Sequence, residues 1–221
     1  MSVFKMLSLL GQGCVTSLAV FVLTLVFSLP LGLLVCFGRM AKCRAVAAFF
    51  RAWISVLRGT PLMLQLFVVY YGPYYIFGIR LSRLGDHWMF LAVILGFVLN
   101  YAAYFAEIFR TGIVSVPSGQ YEAAQVLGIG RRQSFLLVIL PQVMRTALPA
   151  LGNEVVTLVK DTSLAFAIGL VEMFTKAKQI ASAEVSLLPY ALAAALYYIF
   201  NLAVVFGLGK IETALARAGK R

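Results

Sequence analysis

Acidic residues are scarce in this chain: Asp and Glu number 8 among 221 residues, against 19 Lys and Arg. Charged residues of both signs make up 12% of the sequence, about half the roughly 25% usual in a soluble domain. That shortage, with 62% hydrophobic residues and a mean hydropathy of +0.94, excludes an ordinary soluble domain. Histidine occurs once, at His87, and reads as a solvated loop residue rather than a metal ligand. The three cysteines, Cys14, Cys36 and Cys43, have neither paired nor metal-ligand spacing. The first two fall in an apolar run and read as small apolar residues, not as a disulfide framework. No cluster of His, Asp or Cys gathers at one predicted membrane face, which argues against a membrane enzyme. No G-x-x-x-x-G-K-[ST] phosphate loop occurs either, so the chain carries no ATPase site of that kind. Internal repeats, low-complexity runs and signs of a second domain are also missing, and residues 1–221 read as a single domain.

Long apolar runs fill the space those absences leave. A helical span needs ~20 residues, and five crossings fit best: about Val15–Phe37, Pro61–Phe77 (extending backwards through Ala45–Leu57), Trp88–Ile108, Ala147–Val171 and Leu188–Leu208. The first is too long for a signal-peptide core and lacks a small-residue cleavage site, so it reads as a retained span. The fold class expected is therefore an all-α integral membrane protein with five transmembrane helices. Trp88, Tyr70, Tyr71, Tyr74, Tyr75 and Tyr190 lie near the proposed ends, where amphipathic rings favour the interface.

The net charge of +11 is compatible with nucleic acid, but in so apolar a chain it reads as membrane orientation. Arg39, Lys42, Arg44 and Arg51 follow span one. Arg110, Arg131, Arg132 and Arg145 separate spans three and four, and Lys210, Arg217, Lys220 and Arg221 follow span five. Against these twelve, the opposite side holds five: Lys5, Arg80, Arg83, Lys176 and Lys178. The asymmetry predicts a cytoplasmic C-terminus and an external N-terminus, which an odd number of spans permits.

One cytoplasmic loop, about residues 117–141, is unusually structured. Pro117-Ser118-Gly119 can start a helix, with Ser118 as a candidate cap. Tyr121–Leu127 reads as a short helix whose Ala123 and Ala124 leave a small face for a close neighbour. Gly128 and Gly130 permit a sharp turn with positive φ. A second short helix, Arg132–Leu140, precedes Pro141, which breaks it or starts the next element. A bland alternative is a loop lying on headgroups, with Arg131 and Arg132 meeting anionic lipid.

The spacing Glu122-Ala123-Ala124, Gly128, Val138, Leu140-Pro141 resembles the EAA loop of bacterial ABC importer permeases, with Val138 replacing the family's Ile. The resemblance implies a helix–turn–helix in which Glu122, Ala123, Ala124 and Gly128 couple to a separate cytoplasmic ATPase. It also implies that no cofactor binds this chain, ATP and Mg being held by that ATPase. Further segments are similar to the polar amino-acid branch, of the histidine, glutamine, arginine and cystine importer type. These are Arg58-Gly59-Thr60-Pro61 with Leu62–Phe67, Ala106–Arg110 through Gly119-Gln120, Leu148–Glu154 and Leu158–Leu164. Together they cover roughly Arg58 to Met173. Within the first, Thr60 is placed to cap a helix that Pro61 begins, and Arg58 reads as a snorkelling interfacial arginine.

Ionisable residues inside a span are expensive and mark functional sites. Glu154, Lys160 and Asp161 meet that description. Lys160-Asp161-Thr162-Ser163 reads as a helix break, because Asp, Thr and Ser compete for backbone hydrogen bonds. A half-helix beginning near Ser163 would offer its N-terminus to an α-carboxylate, while Glu154 or Asp161 would meet an ammonium. The competing reading has Lys160 pairing with Glu154 or Asp161 simply to hold the span together. Asn100, near mid-depth of span three, needs a buried partner, either ligand or helix. Glu107 reads as structural, pairing with a nearby basic residue. The resemblance favours a substrate role for Asn100, Glu154, Lys160, Asp161, Thr162 and Ser163. It further implies a second permease copy or paralogue, an extracytoplasmic solute-binding protein, contact with membrane lipid and no nucleic acid. The setting implied is the bacterial inner membrane. An ion-coupled secondary amino-acid transporter is the alternative; it too uses broken charged helices, but would favour inverted repeats.

Overall fold

The computed structural model describes residues 1–218; Lys220 and Arg221, counted above with the C-terminal basic group, lie outside them. Helix α1 spans Val3–Arg39, α2 Arg44–Gly59, α3 Leu62–Phe77 and α4 Asp86–Ser115. Helix α5 covers Ser118–Val126 and α6 Arg131–Ile168, followed by α7, Met173–Glu184, and α8, Leu188–Ala218. No strand occurs among the described residues. Helices α1, α4, α6 and α8 are each long and apolar enough to cross a membrane, and the bent pair α2–α3 supplies the fifth crossing.

Helix α4 is the centre of the bundle. It contributes Phe97, Tyr101 and Phe105, among the largest fully buried side chains, and it packs on α1, α2, α3 and α6. The α1–α4 contact is the most extensive, and it depends on small residues. At Gly32 of α1, an added Cβ would lie 2.8 Å from Phe105 Cβ and 3.1 Å from Ala102 O. In a membrane, where lipid is as apolar as a leucine side chain, such close backbone approach drives helix association. Helix α8 is the least covered crossing, and its exposed Tyr198, Ile199, Leu202, Val205 and Phe206 are suited to lipid.

Two expected boundaries are corrected. Span two is not one straight helix: α2 and α3 meet at 111° across Gly59-Thr60-Pro61. Proline disfavours helical backbone in the residue before it, and Thr60 is accordingly extended at φ −122°, ψ 148°. Thr60 does not cap α3, whose N-cap position is Pro61; its hydroxyl instead donates back to Val56 O at 2.8 Å. The second correction concerns the hairpin's second helix, which does not end at Leu140; Pro141 takes one of its two expected roles, standing in the first turn of the next α-helical stretch, Leu140–Asp161. The chain passes through one π-helical stretch, Phe135–Ile139, where Leu140 N–H reaches Phe135 O, and continues as helix to Asp161. A proline removes one i→i−4 donor and crowds that carbonyl; the widened turn absorbs the mismatch, and Gln142 Nε2 donates to Val138 O at 2.9 Å.

Candidate functional site

The hairpin forms with its turn at Gly128, as the spacing predicts, whereas Gly130 stays at φ −59°. Helix α5 ends at Val126, and Gly128 sits at φ +70°. Gly128 N–H bonds Gln125 O and Ile129 N–H bonds Ala124 O, both at 3.0 Å, closing the helix end. Ser118 is not the cap: Pro117 holds that position and no side chain bonds the first turn. Ala124 is 2% exposed, so its small size serves the hairpin's own packing, while Glu122 and Ala123 are exposed. Val126 and Leu127 are 87% and 75% exposed, and Leu136, Leu137 and Tyr121 are also uncovered. Such a concentration of exposed apolar side chains on one short hairpin is unusual for a protein surface.

The polar face within the membrane spans begins on α6. Asp161 accepts a 2.8 Å hydrogen bond from Tyr101 Oη of α4. Glu154 lies two turns earlier and is half-buried. Lys160 points elsewhere: with Ser163 it lines a cavity of about 460 Å³ walled by Phe174, Tyr190, Tyr197 and Asn201. The proposed Lys160 pairing with Glu154 or Asp161 is absent, no such ion pair lying within 4.0 Å among the described residues.

The expected helix break at Lys160–Ser163 is corrected as well. The helix tightens there into a 3₁₀ stretch, Thr162–Ile168, and ends at Gly169 with φ +91°. Thr162 Oγ1 donates to Val159 O and Ser163 Oγ to Lys160 O, each at 2.8 Å. The hydroxyls thus bond back onto their own helix and leave it unbroken, so no half-helix N-terminus is freed at Ser163. Thr162 is fully buried and Ser163 half-buried.

The helix break lies instead at Gly59–Pro61, beside Asn100. Gln65 Nε2 donates to Leu57 O, Thr60 O and Thr60 Oγ1 at 2.8, 3.1 and 2.9 Å. Asn100 Nδ2 donates to Leu57 O at 3.1 Å and to Gln65 Oε1 at 3.0 Å. Bare carbonyls in a lipid setting cost several kcal/mol each, and these two amides satisfy those that the bend releases. Asn100, 5% exposed, therefore finds its partner in the helix break. Glu107 pairs with Arg110 and with Arg39 of α1, as expected of a structural carboxylate.

Sequence reasoning gave no role to Glu172, which the structure buries completely. It caps α7, accepting from Phe174 N–H and Thr175 N–H at 2.7 Å, and it also accepts from Thr175 Oγ1. Tyr197 Oη of α8 donates at 2.9 Å and Ser17 Oγ of α1 at 3.3 Å. Burial pushes its carboxyl up from the ordinary value, and the donors pull it back. Nearby, Gly13 of α1 is required by close approach: a Cβ there would meet Met173 Cα at 2.7 Å. The sequence carries no ordinary signal for this cap, since Ser, Thr, Asp or Asn is the usual N-cap residue and Glu172 stands in that place.

A multi-span helical protein with a charged face in its membrane-spanning part and a sticky helical hairpin at one end has the form of a transport permease. The chain belongs to the family of binding-protein-dependent transport system inner membrane components, whose profile matches residues 28–216. Among its relatives, the L-cystine transport system permease protein TcyB of Bacillus subtilis is 36% identical over 193 residues, 86% of this chain and 80% of TcyB. The nopaline transport system permease protein NocM of Agrobacterium fabrum is 39% identical over 186 residues, 81% of this chain and 74% of NocM. The crystal structure of an amino acid ABC transporter with histidines superposes with a TM-score of 0.84 at 30% identity, covering 97% of this chain and 100% of that one. The protein is thus a multi-pass permease component of a bacterial membrane transport system.

Proposed function

We propose that this chain is the permease subunit of an ATP-driven importer for polar amino acids. The observation that carries the reading is the continuity of α6, which runs as one helix from the hairpin turn at Arg131 to the charged residues Glu154, Lys160 and Asp161. At 1.5 Å per residue, the 30 residues from Arg131 to Asp161 span ~45 Å. A push at the hairpin is delivered to the charged face without an intervening loop. The relatives support the substrate class, since cystine and nopaline are both amino-acid derivatives with carboxylate and ammonium groups.

In this reading an ATPase subunit, holding ATP and Mg, docks on Glu122, Ala123, Ala124 and Gly128 and on the apolar side chains around them. This chain has no covalent chemistry and binds no cofactor. A second copy or a paralogue completes the pathway, since a charged helix face has no place against lipid. An extracytoplasmic binding protein delivers the amino acid, the N-terminus lies outside and the hairpin lies in the cytoplasm. Glu154 and Asp161 receive the ammonium end. Asn100, Lys160, Thr162 and Ser163 belong to the same region, with Asn100 and Thr162 shaping it from behind.

The test is substrate-stimulated ATP hydrolysis in the reconstituted complex. Asp161→Asn is expected to weaken the stimulation by about tenfold or more, the equivalent of one charge-assisted hydrogen bond. An unchanged response removes Asp161 from the site. Uptake that follows a sodium or proton gradient and ignores ATP would replace the reading with an ion-coupled one.

A further inference from the structure

We infer that Gln142 is a positioning residue that pins the open end of the hairpin to α6, so that α5 and the start of α6 move as one body. The inference rests on the importer reading above and names the joint through which the hairpin acts on the long helix.

The two arms of the hairpin are held at separate points. At the turn, Gly128 and Ile129 return their N–H groups to Gln125 O and Ala124 O. In the middle of α5, Ala124 is buried. At the open end, Gln142 of α6 reaches across to the first turn of α5, its Nε2 donating to Gln120 Oε1 at 3.3 Å. Gln120 stands eight residues before Gly128, ~12 Å along the helix. A contact at that distance has a long lever arm against α5 swinging about the turn, which the bonds at the turn itself lack.

The same amide also braces α6. Its Nε2 donates to Val138 O at 2.9 Å. An amide nitrogen carries two N–H donors, and here each arm of the hairpin receives one. The carbonyl at Val138 fixes which end of the Gln142 amide is nitrogen, so Gln120 has to present its oxygen. Gln142 is half-buried and follows Pro141 directly, just past the π-helical stretch Phe135–Ile139. In that stretch Leu140 N–H passes over Leu136 O to reach Phe135 O, and Pro141 has no N–H for Leu137 O. Two successive carbonyls thus lose their regular backbone donors, and interruptions of this kind are where helices bend. Single π-helical turns are frequent at functional sites. A load applied to an unbraced hairpin would be spent in bending α6 at this point; Gln142 stiffens it from within and ties it to α5.

The experiment uses the intact permease–ATPase complex in proteoliposomes with its binding protein. Uptake of radiolabelled L-cystine, L-glutamine and L-arginine is measured beside ATP hydrolysis, and the readout is uptake per ATP hydrolysed. Gln142→Ala is expected to lower that ratio about threefold to tenfold, the reach of one or two neutral hydrogen bonds, while hydrolysis stays within about twofold of wild type. Gln120→Ala should lower the ratio in the same way, and the double variant should be no worse than Gln142→Ala alone. The polarity of the bond gives an asymmetry. Gln120→Glu keeps the acceptor and should keep the ratio, whereas Gln142→Glu loses both donors and should behave as Gln142→Ala.

Uptake and hydrolysis that fall together in Gln142→Ala, leaving the ratio unchanged, would mean a merely structural contact and overturn the inference. So would additive losses in the double variant, or a Gln120→Glu variant as poorly coupled as Gln120→Ala. A wild-type complex that takes up none of the three amino acids at the expense of ATP would remove the importer reading itself, an outcome separate from a wild type that couples and a Gln142 variant that couples equally well.

Discussion

Two segments of this chain carry helix-disrupting sequence inside a membrane span, and only one of them breaks. At Gly59-Thr60-Pro61 the helix turns through 111°. At Lys160-Asp161-Thr162-Ser163 it continues, merely tightening to 3₁₀. The difference is chemical. Proline lacks an N–H and sterically forces its predecessor out of the helical region, so the first segment cannot stay helical. Threonine and serine only offer an alternative acceptor or donor, and here both hydroxyls return to carbonyls three residues back. The broken segment is then locked by Gln65 and Asn100, whereas the unbroken one keeps a single helix running from the hairpin to the charged residues. In this pair of spans, rigidity of shape and continuity of helix are assigned to different elements.

The contrast can be broken most severely at the drive end of the continuous helix. Gly128→Ile puts a β-branched residue at φ +70°, a conformation that costs such residues roughly 1–2 kcal/mol. Uptake should be lost while membrane insertion and permease abundance stay normal. Normal uptake in that variant would separate the hairpin from transport.

The locked break comes next. Gln65→Leu leaves Leu57 O with only Asn100, and removes the side-chain partner of Thr60 O and one of the two partners of Asn100. With about 1–3 kcal/mol for each buried group left unsatisfied, a loss of several kcal/mol is expected, visible as a marked drop in the thermal midpoint of the detergent-solubilised protein. Asn100→Leu should cost less, about 1–3 kcal/mol, because Gln65 still serves Leu57 O. If the two variants were equally unstable, Asn100 would be more than a second clamp on the bend. The smallest effect belongs to the segment that does not break. Ser163→Ala removes a hydroxyl bonded only to its own helix, so stability should change by less than about 0.5 kcal/mol. A large loss would mean that this hydroxyl secures the helix after all.

Much of this was legible from residue pattern alone. Apolar run length located all five crossings, since a bilayer imposes a length that few other environments do. The hairpin was legible because its turn needs a glycine at positive φ and its short helix has defined ends. Glu107's pairing followed from a carboxylate among arginines. What sequence could not settle were competitions between local and tertiary partners. Asn100 looked like a ligand-binding amide because a buried amide must bond to something, and nothing in its own helix named Leu57 O as the partner. Lys160–Ser163 looked like a break because propensity counts the hydroxyls as competitors without saying who wins. Arg132–Leu140 looked like a separate short helix because a single π-helical stretch leaves no mark in the hydrophobic pattern. Glu172, just beyond the predicted end of span four, acquires its importance from Ser17 and Tyr197, which are 155 and 25 residues away.

That carboxylate has a mechanical consequence. It joins α1, α7 and α8 at one point, and pulling any of them away would strand a buried charge or its donors at a cost of several kcal/mol. The three helices are therefore riveted into one block at the end of the molecule remote from the hairpin, with α4 clamped to it through the tight α1 seam. A block of that kind swings; it does not splay. In the proposed permease assembly, a gap that opened there would run along the edge of the chain, between it and the proposed second permease, and the interior of the bundle would travel as cargo.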